Sequence, residues 1–330
     1  EGEPVHISPA FEEAKLRAMM ADVIGGTPTV RCWQENEDPA ALVIDVLDGM
    51  GLAGGTLAID PMTPFFRADA LRRAGNAYGF VNGAVVTDAC RRIKSAAEIA
   101  IIRTAMNLTL DVQRATARIL REGITTTEVA DFLGEAHAAL GFDGPPPFRI
   151  VLFGEPIAYP HGVPYPQTLK QGDMVLVDVG AALHGYYSDL TRSYVFGEPN
   201  ARQREIWGIA KRATEAAFGA AKLGAPCTAV DRAARATIEA AGLGPGYETP
   251  GLPHRTGHGL GLDVHEEPYI VEGNATPLQA GMCFSNEPMI CVYGEFGVRL
   301  EDHIHMAEDG AHWFTEPAFS IDDPFRLDGR

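Results

Sequence analysis

Two stretches of the chain each place a pair of carboxylates symmetrically about a turn. Residues 174–195, MVLVDVGAALHGYYSDLTRSYV, read as two β-branched and aromatic runs around a turn at residues 182–185, the pattern of a hairpin. Its acidic residues, Asp178 and Asp189, are centred between Leu183 and His184. A turn centred there sets the two carboxylates directly opposite each other on one face, ~5 Å apart at Cβ. At that distance like charges repel and one pKa rises, unless a cation lies between them. Alternation gives Val175, Val177 and Val179 to a core, and Leu176, Asp178, Gly180, Asp189 and Thr191 to the other face. One such pair alone reads more simply as solvated surface. Residues 284–306 repeat the pattern about Gly294, with Glu287 facing Glu301, and two such pairs are hard to assign to water.

Between the hairpins lies TGHGLGLDVHEEP, residues 256–268, where glycines on both sides of His258 let backbone and imidazole approach a partner closely. Four carboxylates and one imidazole suit a pair of borderline-hard cations, Mn²⁺, Co²⁺ or Zn²⁺, better than they suit a thiolate zinc site. Two ions ~3.5–4 Å apart can share a water, lower its pKa and polarise a carbonyl. That chemistry hydrolyses an amide.

The elements that position these residues follow from capping and periodicity. Ser95-Ala96-Ala97-Glu98 has the form of a capping box and opens a helix of about seven turns, to about Arg121. Gly123 ends it, and Thr125 with Glu128 caps a second helix through Leu140. After the rigid Pro145-Pro146-Pro147 loop comes a strand over residues 149–153, then His161-Gly162 in a proline-rich connection to the first hairpin. Ile206, Ile209, Ala210, Ala213 and Ala217 fall on one helical face within residues 202–222. Gly224 stops that helix and residues 228–241 form another. Residues 242–261 are glycine-rich and read as a loop. The order of helix, glycine, Thr-capped helix, loop and carboxylate hairpin thus occurs twice, which implies two similar halves closing on the four carboxylates. Residues 1–94 read as an α/β unit without catalytic spacing, with helices at residues 10–23 and 39–47, another starting at Asp69, and strands before Asp60 and at residues 84–86.

Composition narrows the partners. The 330 residues suffice for two domains, and 46% hydrophobic with 22% charged residues is an ordinary globular balance. A net charge of −17 argues against nucleic acid and anionic membrane. Five cysteines without CxxC spacing suit buried thiols in a reducing compartment. No apolar run reaches the ~20 residues of a membrane span, and no signal-peptide pattern is visible. The chain begins at Glu1 rather than Met, so a truncated or processed product is expected.

The motifs VDVGA…GYYSDLTRSY, GHGLGLDVHEEP, SNEPMI and GVRLED resemble the dinuclear metallopeptidase family that contains prolidase, Xaa-Pro aminopeptidase and methionine aminopeptidase. The likeness covers about residues 95–330. It implies metal ligands at Asp178, Asp189, His258, Glu287 and Glu301. It also implies a substrate-contacting histidine at His161 (YPHG) and a second, His265, that helps stabilise the tetrahedral intermediate. Glu287 doubles as ligand and proton shuttle for a bridging hydroxide. The fold class implied is α/β (α+β): a pita-bread catalytic domain of two pseudo-symmetric halves over residues 95–330. A smaller creatinase-type N-terminal α/β domain, residues 1–94, precedes it, with its first part expected to be missing. In the family that domain supports dimerisation and restricts the site to short peptides, and it argues against methionine aminopeptidase.

The expected enzyme is therefore an Xaa-Pro dipeptidase using two divalent ions, Mn²⁺ first and Co²⁺ or Zn²⁺ as alternatives. Its expected partner is a short proline-containing peptide, its assembly a homodimer and its location the cytoplasm. An Xaa-Pro aminopeptidase acting on longer peptides is the nearest alternative, followed by a metal-free creatinase-type hydrolase and a non-catalytic binding module. Tyr269 follows HEEP where several prolidases have an arginine that holds the dipeptide carboxylate, and Met289 stands where glycine is common. Arg299 either binds a substrate carboxylate or holds a ligand carboxylate in place. His303 is read as a neighbour of the ligands, His254 as loop structure, and Cys283 and Cys291 as packing.

Overall fold

The computed structural model describes residues 3–24 and 27–326. The chain divides into two compact units, Glu1–Ala89 and Cys90–Arg330. The first unit holds β1 (Val5–Pro9), α1 (Glu13–Ile24), β2 (Thr29–Trp33), α2 (Pro39–Gly49), β3 (Thr56–Ile59), α3 (Phe65–Ala74) and β4 (Gly79–Asn82). β1 pairs with β2 and β3 with β4, both in parallel. The strand expected at residues 84–86 is instead the start of α4 (Ala84–Arg92), within which the boundary falls. Asn82 Oδ1 accepts from the Ala84 N–H at 2.9 Å, and such a side-chain cap opens a helix where β-branched composition alone suggests a strand.

In the second unit both expected capping boxes form. Ser95 and Glu98 open α5 (Ala96–Ile119), and Thr125 and Glu128 open α6 (Thr126–Ala139). These helices cover one face of an antiparallel sheet of β5 (Phe148–Phe153), β6 (Met174–Gly180) and β9 (Leu190–Val195), with β6 in the middle. Val175, Val177 and Val179 pack with Ile102, Met106, Val129 and Leu133. A two-stranded ribbon, β7 (Ala182–Leu183) and β8 (Tyr186–Tyr187), extends the hairpin. The second helix pair is α7 (Ala201–Ala220), capped by Asn200, and α8 (Cys227–Ala240). It backs a five-stranded sheet ordered β11 (Glu266–Ile270), β10 (Gly257–Gly259), β12 (Cys283–Asn286), β15 (Asp302–Ala307) and β16 (Gly310–Trp313). A short ribbon, β13 (Ile290–Val292) and β14 (Phe296–Val298), forms the tip of the second hairpin.

β10 lies inside the segment expected to be a loop. Its glycines are there because the backbone leaves no room: a Cβ on Gly257 would fall 1.9 Å from the Ser285 carbonyl oxygen, and one on Gly259 would fall 2.4 Å from that of Glu267. Glycine thus marks close strand approach here rather than flexibility.

The first hairpin is shifted from its expected register. Asp178 pairs with Thr191, not Asp189, and Val179 with Leu190. The turn is His184-Gly185, with φ of 50° and 80°, a two-residue connection that needs positive φ at both positions. Its centre therefore lies after His184 instead of before it. Asp189 becomes a diagonal neighbour of Asp178 on the same face. The second hairpin has the expected centre, since Asn286 pairs with Asp302 and Ile290 with Val298, both about Gly294. An isolated antiparallel bridge between Thr191 and Glu301 joins the two hairpins.

Candidate metal centre and its pocket

The five expected ligand residues come from five different segments. Asp178 lies in β6, Asp189 just before β9, His258 in β10, Glu287 just after β12 and Glu301 just before β15. Their donor atoms converge. Three overlapping groups could each hold an ion, with donor atoms within 4.8 Å of one another: Asp178–Asp189–Glu301, His258–Glu287–Glu301 and Asp189–His258–His303. Asp178, Asp189, His258 and Glu301 are buried. They line a cavity of about 280 Å³ together with Glu287, His161, His265, Val264, Phe148, Ile150 and Arg299.

Main-chain and hydroxyl bonds aim these side chains. The His258 N–H donates to Ser285 Oγ at 2.8 Å, and that hydroxyl donates to Glu287 Oε1 at 3.1 Å. His258 Nδ1 lies 3.0 Å from the Gly259 carbonyl, a contact that requires the proton on Nδ1 and leaves the Nε2 lone pair free to bind a cation. Nε2 is 3.2 Å from Glu287 Oε1 and 3.7 Å from Asp189 Oδ2. Thr191 Oγ1 donates to Glu301 Oε2 at 2.6 Å.

The electrostatics fit divalent cations. Asp178 Oδ1, Asp189 Oδ1 and Glu301 Oε1 are buried without a hydrogen-bond partner, a costly state for a carboxylate. Burial, then the charges of Glu301, Asp178 and Glu287, push Asp189 well above the usual carboxylate range. Burial, then Glu287 and Asp178, do the same to Glu301. Asp178 is also raised by burial, against the pull of Arg299. Burial would raise Glu287 too, but His258, His254 and Arg299 hold it below the usual range. Carboxylates crowded and desolvated in this way lose their mutual repulsion when a cation enters.

Arg299 does not turn its guanidinium to the open pocket. Nη2 lies 2.5 Å from Asp178 Oδ2, Nε donates to Thr191 Oγ1 at 3.1 Å, and Nη1 donates to the Pro160 carbonyl at 3.1 Å. One residue therefore holds Asp178 directly and Glu301 through Thr191. His265 stands edge-on to His258, ring centres 4.1 Å apart. Burial, followed by His258 and Arg255, lowers its pKa to about 4, so its imidazole is neutral at pH 7. His161 reaches the cavity from an exposed loop. His254 lies apart from the cavity wall, with Nδ1 2.6 Å from the Arg255 carbonyl.

Several residues that shape the site carry no spacing signal. Arg192 forms a buried fork with Asp302, at 2.7 and 3.2 Å, and donates to the Glu301 carbonyl at 2.8 Å. Glu266, next to His265, binds Lys94 at 2.5 Å and Arg91 at 2.6 Å. Arg255 lies over the Tyr269 ring at 4.7 Å and has no ion pair among the described residues. Neither ring nitrogen of the fully buried His303 has a hydrogen-bond partner, although the Asp189 main chain lies beside the ring. The sequence holds a hint only for Arg192 and Asp302, each directly beside a residue of the carboxylate pattern.

The putative dipeptidase YkvY of Bacillus subtilis is 35% identical over 320 residues, covering 96% of this chain and 85% of its own. The crystal structure of dipeptidase PepE from Mycobacterium ulcerans matches with a TM-score of 0.88 at 36% identity, over 97% of this chain and 84% of that one. A prolidase structure from Thermococcus sibiricus matches with a TM-score of 0.83 at 32% identity, over 96% and 83% of the two chains. The model of metallopeptidase family M24 matches residues 100–308. With the family model spanning more than half of its length, and a relative this similar over nearly all of it, this chain belongs to metallopeptidase family M24.

Proposed function

We propose that the protein is an Xaa-Pro dipeptidase with two divalent ions at one centre, residues 95–330 forming the catalytic domain of two similar halves and residues 1–94 an assembly and substrate-restricting domain. One observation carries this reading: four carboxylates and His258 converge on a small cavity with buried oxygens that no protein group satisfies. Asp178, Asp189, His258, Glu287 and Glu301 would hold the ions. When bound, the ions supply a Lewis acid for the scissile carbonyl and an acidified water as nucleophile. Glu287, kept ionised by His258 and oriented by Ser285, accepts the proton of the attacking water and delivers it to the proline nitrogen. His265 is neutral at pH 7 and lines the same cavity, where an N–H of its ring would stabilise the developing oxyanion. His161 closes on the substrate from the loop. Arg299 acts as a positioning residue for Asp178 and Glu301. Proline as leaving group has no N–H to satisfy.

The cavity, about 280 Å³, lies at the small end for ligand sites, which favours a dipeptide. Arg255 over Tyr269 offers an unpaired cation for the carboxylate of that dipeptide, in place of the arginine several prolidases have at position 269. Cleavage of longer peptides is the second reading, favoured by the same Tyr269. Assembly as a homodimer belongs to the proposal, supported by the exposed Phe11, Phe65, Phe66 and Val85 of the first unit. Metal analysis with assays of Ala-Pro and Gly-Pro-X peptides, before and after chelation, tests the reading. Ala-Pro cleavage that needs metal is expected. Absence of bound metal, or cleavage of the longer peptide alone, rejects it.

A further inference from the structure

The proposed ligand set leaves His303 unused, yet its placement is that of a ligand. His303 sits in β15 opposite Ser285, whose hydroxyl binds both the His258 main chain and Glu287. It is fully buried, with neither Nδ1 nor Nε2 hydrogen-bonded. A buried imidazole normally satisfies at least one nitrogen, and three of the other buried atoms without partners, Asp178 Oδ1, Asp189 Oδ1 and Glu301 Oε1, belong to the centre itself. A donor nitrogen of His303 lies within 4.8 Å of donor atoms of both Asp189 and His258. Two imidazoles bound to one ion at ~2.1 Å per bond have ring centres about 5–6 Å apart, and those of His258 and His303 are separated by 5.9 Å. His265, at 4.1 Å from the same ring, is too close for that arrangement. The other groups that act on this ring are the Asp189 main chain and the Glu287 charge, and both residues belong to the centre.

Resting on the dinuclear reading above, we infer that His303 is a further ligand of the ion shared by Asp189 and His258, giving that ion two nitrogen donors. A second imidazole changes which metal the position prefers. Carboxylate-rich sites suit Mn²⁺, whereas imidazole raises the preference for Co²⁺ and Zn²⁺, which also stand higher in the affinity order for nitrogen donors. The ion at this position is therefore selected for Co²⁺ or Zn²⁺ over Mn²⁺, and the two positions of the centre differ in preference.

The test uses the full chain stripped of metal and reloaded with Co²⁺, Zn²⁺ or Mn²⁺. Stoichiometry comes first: no bound divalent ion overturns the dinuclear reading and this inference with it. With one equivalent of Co²⁺ bound, the wild-type proton NMR spectrum should show two hyperfine-shifted exchangeable imidazole N–H signals. X-ray absorption of the Zn²⁺ form should likewise count two imidazoles. One imidazole in a protein that binds two ions overturns the inference and leaves the dinuclear reading standing. Competition titrations on His303→Asn and His303→Leu should show Zn²⁺ and Co²⁺ affinity at the tighter position falling at least about tenfold, with Mn²⁺ affinity changed less. An unchanged Zn²⁺/Mn²⁺ ratio in folded variants also overturns it. Should both variants fail to fold, the wild-type count decides.

Discussion

Arg299 and Asp178 form a buried ion pair whose members cannot be removed singly. Replacing Arg299 with Gln strands a desolvated carboxylate beside three others, which is expected to cost about 3–5 kcal/mol of stability in the metal-free protein. Divalent ions should restore part of that loss, because they replace the missing positive charge, and urea unfolding with and without metal measures both. Histidines set the acid limit. His305 is lowered to about 4, first by burial and then by Arg103 and His312, and Arg103 Nη2 donates to its Nε2 at 2.6 Å. The unfolded chain takes this proton near 6.5, the folded one only near 4. Between those values the unfolded state binds more protons, so stability is full above about pH 6.5 and falls as pH drops toward 4. With divalent ions neutralising the crowded carboxylates, urea midpoints at pH 7.5, 6 and 5 should decline in that order, and His305→Gln should flatten the decline. At this scale the carboxylates and His258 were legible, because acidic residues centred on turns stand out in a linear pattern. His303 was read as a neighbour of the ligands, which it is; Arg192 and Arg255 were not singled out, since the one has its partner 110 residues away and the other has no ion pair among the described residues.

The hairpins and the strand between them carry the site, and β10 is the element least tolerant of change. Gly257→Ala places a methyl group 1.9 Å from the Ser285 carbonyl oxygen, so β10 and β12 must separate. The expected result is a loss of about 3 kcal/mol or more, together with weaker metal binding through displaced His258, read by thermal unfolding and chelator competition. Gly144→Ala, whose Cβ would meet nothing within 4 Å and whose φ, like that of Gly257, is not positive, controls for the added methyl group without a clash. Helix starts were legible to the residue at Ser95 and Thr125, because capping is a local bond between side chain and adjacent backbone. The first hairpin's register was not, because it depends on which residues take positive φ. His184 does so against its intrinsic preference, while Asp143 accepts from the His184 and Gly185 N–H groups at 3.0 and 2.7 Å.

The whole second unit is held together across the Thr191–Glu301 bridge and the buried Arg192–Asp302 fork, so metal binding at the proposed centre and fold stability should be linked. Ions that bind only the folded state are expected to raise stability by about 2.7 kcal/mol at a hundredfold excess over Kd. Thermal unfolding should move upward with added Mn²⁺, Co²⁺ or Zn²⁺ and back with chelator, and no shift would contradict a shared centre. Among the described residues no helix is long and apolar enough to cross a membrane. The linear order of the residues determined the family and the capped helices and singled out the five candidate side chains, because each rests on local chemistry, on spacing within a hairpin or on a short motif. The tertiary structure alone decided that Asp178 faces Thr191, that Arg299 turns to Asp178 and that His303 stands unpaired beside His258. Those facts depend on which distant strands lie side by side, and burial then makes every unpaired donor and charge costly enough to carry meaning.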